Sequence, residues 1–158
     1  MSIYDPKTYQ PRDAAPGLMG RIRALLFDTL DAELAPLGLK ATDYVVLVTL
    51  ANDAAPTASS VCSLIAHDPG AMTRKIDALE KKGLVRRVRS EKDRRAIHIE
   101  LTPEARKLYP RMMATVVGVV NDYLEGFSKA EVRQMEEMLR RILGNAQARA
   151  ASSNEDAA

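Results

Sequence analysis

The residues best equipped for chemistry are arginines set among small and hydroxyl side chains. Thr73 and Arg74 stand side by side, and Asp93 precedes a second basic pair, Arg94-Arg95. A guanidinium presents a planar fork of donors that fits a guanine edge or a phosphate, and a threonine can meet a phosphate or a thymine methyl. Asp93 and Arg95 lie two apart, so in an extended stretch they share a face. The carboxylate can then hold Arg95 in one pose while Arg94 points elsewhere. Around them Lys81, Lys82, Arg86, Arg87, Arg89 and Lys92 face only Glu91 and Asp93 in opposition, although the whole chain carries a formal charge of just +2. Such a local excess suits a polyanion, although charge alone is equally compatible with a solvated basic surface.

Other chemistries have little to work with. The sequence holds no phosphate-cradling glycine loop, no Gly-x-Ser-x-Gly elbow and no His-Glu-x-x-His, so no enzyme is expected. A lone cysteine, Cys62, excludes an internal disulfide. With only His67 and His98 beside it, no metal and no cofactor is expected. No apolar run approaches the ~18 residues of a transmembrane helix, and no secretory signal opens the chain. Its 158 residues, 46% hydrophobic and 28% charged, suit one domain with helical extensions in a reducing cytoplasm.

The elements that must position the arginines follow from periodicity. Residues 1–17, with Pro6, Pro11, Pro16 and Gly17, read as an extended N-terminal arm. Leu18, Ile22, Leu25, Leu26, Leu30 and Leu34 then share a helical face, closed by Pro36 and Gly38. Thr42 or Ala41 opens a second helix to about Asn52; its valines also allow a strand, but its length and flanking caps favour helix. Thr57 is the expected cap of a short helix through Ala66. Asp68-Pro69 starts the next, over roughly 69–82, with Gly83 as its left-handed end. In that helix Met72, Ile76 and Leu79 face inward, while Gly70, Arg74, Asp77 and Lys81 lie opposite, flanked by Ala71 and Thr73.

The period then changes to two. Residues 84–89 and 96–101 read as a hairpin whose connection carries Asp93, Arg94 and Arg95, with His98 on its solvent side. Thr102-Pro103 caps a long helix to about Gly126, with a kink expected at Pro110. Ser128 caps a last helix, and residues 148–158 are expected to be a disordered tail. The fold class is therefore mainly α with a small β-hairpin wing: a helix-turn-helix and wing at 40–102, with helical regions at 18–35 and 103–147 outside it.

The run Ala71-Met72-Thr73-Arg74-Lys75-Ile76-Asp77-Ala78-Leu79-Glu80-Lys81-Lys82-Gly83-Leu84-Val85-Arg86-Arg87, followed by Asp93-Arg94-Arg95-Ala96 and Leu101-Thr102-Pro103-Glu104, resembles the MarR (multiple antibiotic resistance regulator) family. The likeness is densest over residues 40–110; Ala105 departs from a glycine common there. The resemblance implies a bacterial, cytoplasmic, nucleoid-associated regulator, usually a repressor. Its outer helices would interlock as a homodimer on a pseudo-palindromic double-stranded operator, with half-sites about 10 bp apart. The expected DNA-facing residues are Thr57, Ser59, Gly70, Ala71, Thr73, Arg74, Lys75, Asp77, Arg86, Asp93, Arg94 and Arg95.

The same resemblance implies release of DNA by a small aromatic acid or phenol held between the dimer helices and the winged lobe. Arg21, Arg23, Asp43, Tyr44 and His67 are the expected lining. Two other readings remain: a winged helix used only for protein contacts, and a redox-sensing regulator acting through Cys62. Retention of Arg94 and Arg95 weighs against the first. The peroxide-sensing branch carries its cysteine on the first long helix, unlike Cys62, which weighs against the second.

Overall fold

The computed structural model describes residues 3–52, 69–89 and 97–155. In chain order these form α1 (Ala15–Leu34), a short 3₁₀ turn (Ala35–Leu37), α2 (Ala41–Asn52), α3 (Pro69–Lys81), β1 (Val85–Arg89), β2 (Ile97–Leu101), α4 (Pro103–Tyr123) and α5 (Lys129–Glu155). This is the mainly helical architecture with a two-stranded wing expected for a winged helix-turn-helix. Thr57, Ser59, Cys62, His67, Asp93, Arg94 and Arg95 lie outside the described residues. The chain divides into two compact units at Val119 and Val120.

The first unit has one continuous core. Leu30 and Leu34 of α1, Val46, Leu47 and Leu50 of α2, and Met72, Ile76 and Leu79 of α3 are buried in it. They are joined there by Leu84, Val85, Ile99 and Leu101 at the wing base and by Met112 and Val116 of α4. The valine-dense segment 45–48 is helical because α2 is capped from elsewhere. Asp31 of α1 accepts a hydrogen bond from the Ala41 backbone N–H at 2.7 Å, satisfying a donor at the start of α2.

The N-terminal arm departs from the extended form expected. The backbone N–H groups of Thr8 and Tyr9 bond back to the Asp5 carbonyl. Tyr4 and Tyr9 meet edge to face at 5.0 Å, and the Tyr4 hydroxyl accepts the Ala15 N–H at the start of α1. The helix begins at Ala15 rather than Leu18, because Pro16 falls in its first turn, where no N–H is needed. Gly17 permits the close return of the arm: a Cβ there would lie 1.9 Å from the Pro11 carbonyl oxygen.

Helix α3 ends as Gly83 predicts. Gly83 has φ +70°, its N–H bonds to the Glu80 carbonyl at 2.9 Å, and the Leu84 N–H reaches the Leu79 carbonyl at 3.0 Å. That pair of bonds closes the helix and turns the chain into β1, with Leu79 and Leu84 both buried across the turn. The strands pair antiparallel with Val85 opposite Leu101, Arg87 opposite Ile99 and Arg89 opposite Ile97. Ile99 and Leu101 are buried, whereas Ile97 is 49% exposed because the inner face runs past the core toward the wing's far end.

Thr102 joins wing to helix. Its hydroxyl donates to the Gly83 carbonyl at 2.7 Å and accepts the Ala105 N–H at 3.2 Å, capping α4 as expected. Pro110 lies inside α4.

In the second unit, Ser128 and Glu131 cap α5 reciprocally. The Ser128 N–H reaches the Glu131 carboxylate at 2.8 Å, and the Glu131 N–H returns to the Ser128 hydroxyl. The helix continues to Glu155, through most of the tail expected to be disordered. Ala146, Ala148, Ala150 and Ala151 explain the difference, since alanine has the strongest helix preference. Met138, Leu139, Ile142 and Leu143 of α5 remain exposed, as do Leu18, Ile22 and Leu25 of α1.

Candidate nucleic-acid interface

Helix α3 is presented by its buried stripe. Met72, Ile76 and Leu79, spaced i, i+4, i+7, are 2%, 1% and 0% exposed and fix the helix's rotation about its axis. Rotation by half a turn then leaves Gly70, Thr73 and Arg74 exposed, with Ala71 partly so. A helix end with small residues beside a threonine and an arginine can enter a major groove closely and still deliver donors to base edges.

Electrostatics fix the same helix on two sides. Toward α2, Asp43 is 2% exposed and receives Lys75 Nζ on Oδ1 and Lys82 Nζ on Oδ2, each at 2.8 Å. The Lys40 N–H adds a third bond to Oδ2 at 3.1 Å, and Lys82 Nζ also reaches the Gly38 carbonyl. Burial pushes the Asp43 carboxyl up, but the hydrogen bonds from Lys75, Lys82 and Lys40 outweigh it and hold it below the usual carboxylate value. Toward the wing, Arg87 donates through Nη2 to Asp77 Oδ1 at 2.5 Å and through Nη1 to Glu80 Oε2. Asp77 foremost, with Glu80, raises the guanidinium's already high pKa against a smaller opposing effect of burial.

These contacts redistribute the expected roles. Thr73 and Arg74 lie on the exposed face together with Gly70. Lys75, expected to face DNA, donates instead to the buried Asp43. Asp77 is engaged by Arg87. Arg86, on the outer wing face, bonds Glu100 directly across the strands at 2.7 Å.

Of the expected effector lining, His67 lies outside the described residues, Arg21 and Arg23 lie on α1, and Asp43 and Tyr44 lie on α2. Asp43 is buried and engaged by two lysines. Tyr44 packs half-buried on the core, and burial raises its hydroxyl pKa, with Tyr109 adding to the effect. Arg23 lies over the Phe27 ring at 4.8 Å. Arg21 borders a shallow groove with Pro11, Arg12 and Gly17. His98, expected in solvent, is half-buried, and its Nδ1 is shut off from water with no hydrogen-bond partner among the described residues.

The pairings of Asp43 and Arg87 were not anticipated. Asp43 had a signal: an acidic residue two positions inside an otherwise apolar helix. Arg87 had one as well, in the alternation that puts it on the same strand face as Val85.

Comparison with known proteins agrees with this geometry. The MarR family model matches residues 39–97. The transcriptional regulator PecS of Dickeya dadantii (strain 3937) is 30% identical over 129 residues, spanning 80% of this chain and 78% of that protein. A MarR-family transcriptional regulator from Rhodococcus sp. RHA1 superposes with a TM-score of 0.77 at 29% identity, covering 85% of this chain and 96% of that one. CouR from Rhodococcus jostii RHA1, solved with p-coumaroyl-CoA, gives 0.75 at 29% identity, covering 85% and 95%. The chain therefore belongs to the MarR family of winged helix-turn-helix transcriptional regulators.

Proposed function

We propose that this regulator binds a pseudo-palindromic operator as a homodimer, inserting α3 into the major groove and the Arg94-Arg95 end of the wing into the adjacent minor groove. The observation that carries the reading is the orientation of α3. Its buried stripe turns Gly70, Thr73 and Arg74 outward, and a strongly basic hairpin follows directly. The exposed leucines, isoleucines and methionines of α1 and α5 support the dimer, since such surface is seldom left to water. Two copies would give two recognition helices for two half-sites.

The regulator responds to an aromatic acid or a phenol-type effector, probed first with hydroxylated benzoates and hydroxycinnamates. CouR, a relative of similar length, was solved with p-coumaroyl-CoA bound, and this supports an aromatic acyl class without identifying the molecule. An effector acts only if it prefers one spacing of the recognition helices.

The test is a mobility shift on a duplex from the regulator's own promoter at two salt concentrations. Phosphate-driven binding weakens steeply with salt. A flat response, or no shift, rejects the DNA reading. Arg95→Ala weakens binding while the dimer elutes unchanged; unaltered affinity rejects wing insertion. A thermal-shift screen of aromatic acids, with hits retested for DNA release, tests the effector class.

A further inference from the structure

The wing is a two-stranded ribbon, and a ribbon of that size needs outside support to hold a direction. Its base has that support in Val85, Ile99, Leu101 and the Thr102 hydroxyl. Farther out, the next inward-facing position of β1 after Val85 is Arg87, which pairs with Ile99 in register. Its side chain crosses to α3. There it meets Asp77 and Glu80, which stand one turn apart on the same helix face.

The contact is more than a surface ion pair. Arg87 spreads two guanidinium nitrogens over two carboxylates, Nη2 on Asp77 and Nη1 on Glu80. Its backbone N–H also donates to Glu80 Oε1 at 3.2 Å. Glu80 therefore covers a donor on the outer edge of β1 that the two-stranded sheet leaves without a strand partner. Three bonds tie one strand residue to one face of α3. Arg86, its neighbour, pairs with Glu100 inside the wing, and among the described residues no ion pair joins it to α3.

We propose that Arg87 is a positioning residue for DNA binding: with Asp77 and Glu80 it sets the angle between wing and recognition helix, and it does so without touching DNA. The inference rests on the DNA reading above. Both elements must enter adjacent grooves at once, so a wing free to swing spends less time in the competent pose, and apparent affinity falls by that fraction. The bracket also offsets part of the negative charge of two carboxylates that stand on the groove-facing helix.

The test uses the sign of an electrostatic change. Asp77→Asn with Glu80→Gln removes two negative charges from a DNA-binding helix, and charge alone then predicts tighter binding. Positioning predicts the reverse. Binding of a labelled duplex from the regulator's own promoter is measured by fluorescence anisotropy across a salt series, for the full-length dimer. Asp77→Asn/Glu80→Gln is expected to bind about fivefold more weakly, the population factor such a bracket supplies. Arg87→Ala weakens binding comparably, and both keep the wild-type slope of log affinity against log salt. Glu80→Gln alone serves if the double variant does not fold.

Equal or tighter binding by the carboxamide variant overturns the proposal. So does a slope shallower by about one in Arg87→Ala, which marks a lost phosphate contact. A wild-type protein that does not bind the duplex in a salt-dependent way overturns the DNA reading itself. That outcome is distinct from a wild type that binds and a variant that fails to weaken.

Discussion

Asp43 is the strongest test of how α3 is held. Its carboxylate is buried, but the two lysines that neutralise it are not equally enclosed: the Lys75 side chain is 25% exposed and that of Lys82 40%. The two sides of the cluster should therefore respond differently to truncation. Asp43→Asn keeps the shape and removes the charge. Two charge-assisted bonds, worth about 1.5–3 kcal/mol each, are lost. The carboxylate's own desolvation cost disappears with them, and both lysines can swing into water. A net loss of about 2 kcal/mol follows.

Replacing both lysines by methionine strands the carboxylate instead. It cannot reach water without opening the contact between α2 and α3, and the Lys40 N–H alone does not neutralise it. The cost of breaking a buried pair from this side is about 3–5 kcal/mol. The ordering is the prediction: Lys75→Met/Lys82→Met is less stable than Asp43→Asn. Urea unfolding followed by far-UV circular dichroism gives both values, measured at one protein concentration so that any self-association contributes equally.

The pH response carries a second sign. The Asp43 carboxyl titrates lower in the folded chain than in the unfolded one. Its contribution is complete above the unfolded value near 4 and is lost as pH falls through the folded value. The wild type therefore loses this increment on the acid side, and Asp43→Asn lacks that part of the acid loss. A double lysine variant as stable as the wild type, or an Asp43→Asn variant less stable than the double variant, would refute the reasoning.

Four further outcomes are expected. Gly83→Ala costs about 1–2 kcal/mol in a urea melt from the left-handed backbone at φ +70° alone, since among the described residues no atom beyond its chain neighbours lies within 4 Å of the added Cβ. Thr102→Val removes a helix cap and the bond to the Gly83 carbonyl, and lowers stability by about 1 kcal/mol in the same assay. Hydrogen bonds from the Ser128 hydroxyl and N–H hold Glu131 below the usual carboxylate value, so its small contribution is present at neutral pH and lost on acidification. Ser128→Ala should move the Glu131 titration upward by NMR. Arg74→Ala costs about 1–3 kcal/mol in operator affinity with relaxed specificity at one base pair if it forks onto guanine. A uniform loss across sequences with a shallower salt slope identifies a phosphate contact instead.

The elements were legible where a pattern had a single physical solution. Met72, Ile76 and Leu79 followed by Gly83 specify one helix face and one end. The alternation Ile97, Ile99, Leu101 specifies a strand, and Thr102 and Ser128 announce their caps. Local signals misled at the ends of the chain. Proline and glycine in residues 1–17 suggested an extended arm, yet Gly17 is there to let Pro11 approach α1. The alanines beyond residue 146 looked like low complexity and are helix. In both places the deciding interaction lies outside the local pattern: a backbone contact six residues away, and a propensity that acts without any apolar stripe.

The candidate site was legible in position more than in wiring. Thr73 and Arg74 occupy the exposed face that the hydrophobic spacing assigns them. Lys75, Asp77, Arg86 and Asp43 carry the right charges for binding, but the fold engages all four in ion pairs within the protein: Lys75 with Asp43, Asp77 with Arg87 and Arg86 with Glu100. Sequence spacing gives the face of a residue on its own element and is silent about which element lies opposite. Asp43 and Lys75 are 32 positions apart, and Asp43 and Lys82 are 39. Their pairing depends on how α2 and α3 sit in the shared core that holds Val46, Leu47, Ile76 and Leu79. The charges hold α3 from both sides, through Asp43 toward α2 and through Arg87 toward the wing, leaving Arg74 on the outward face.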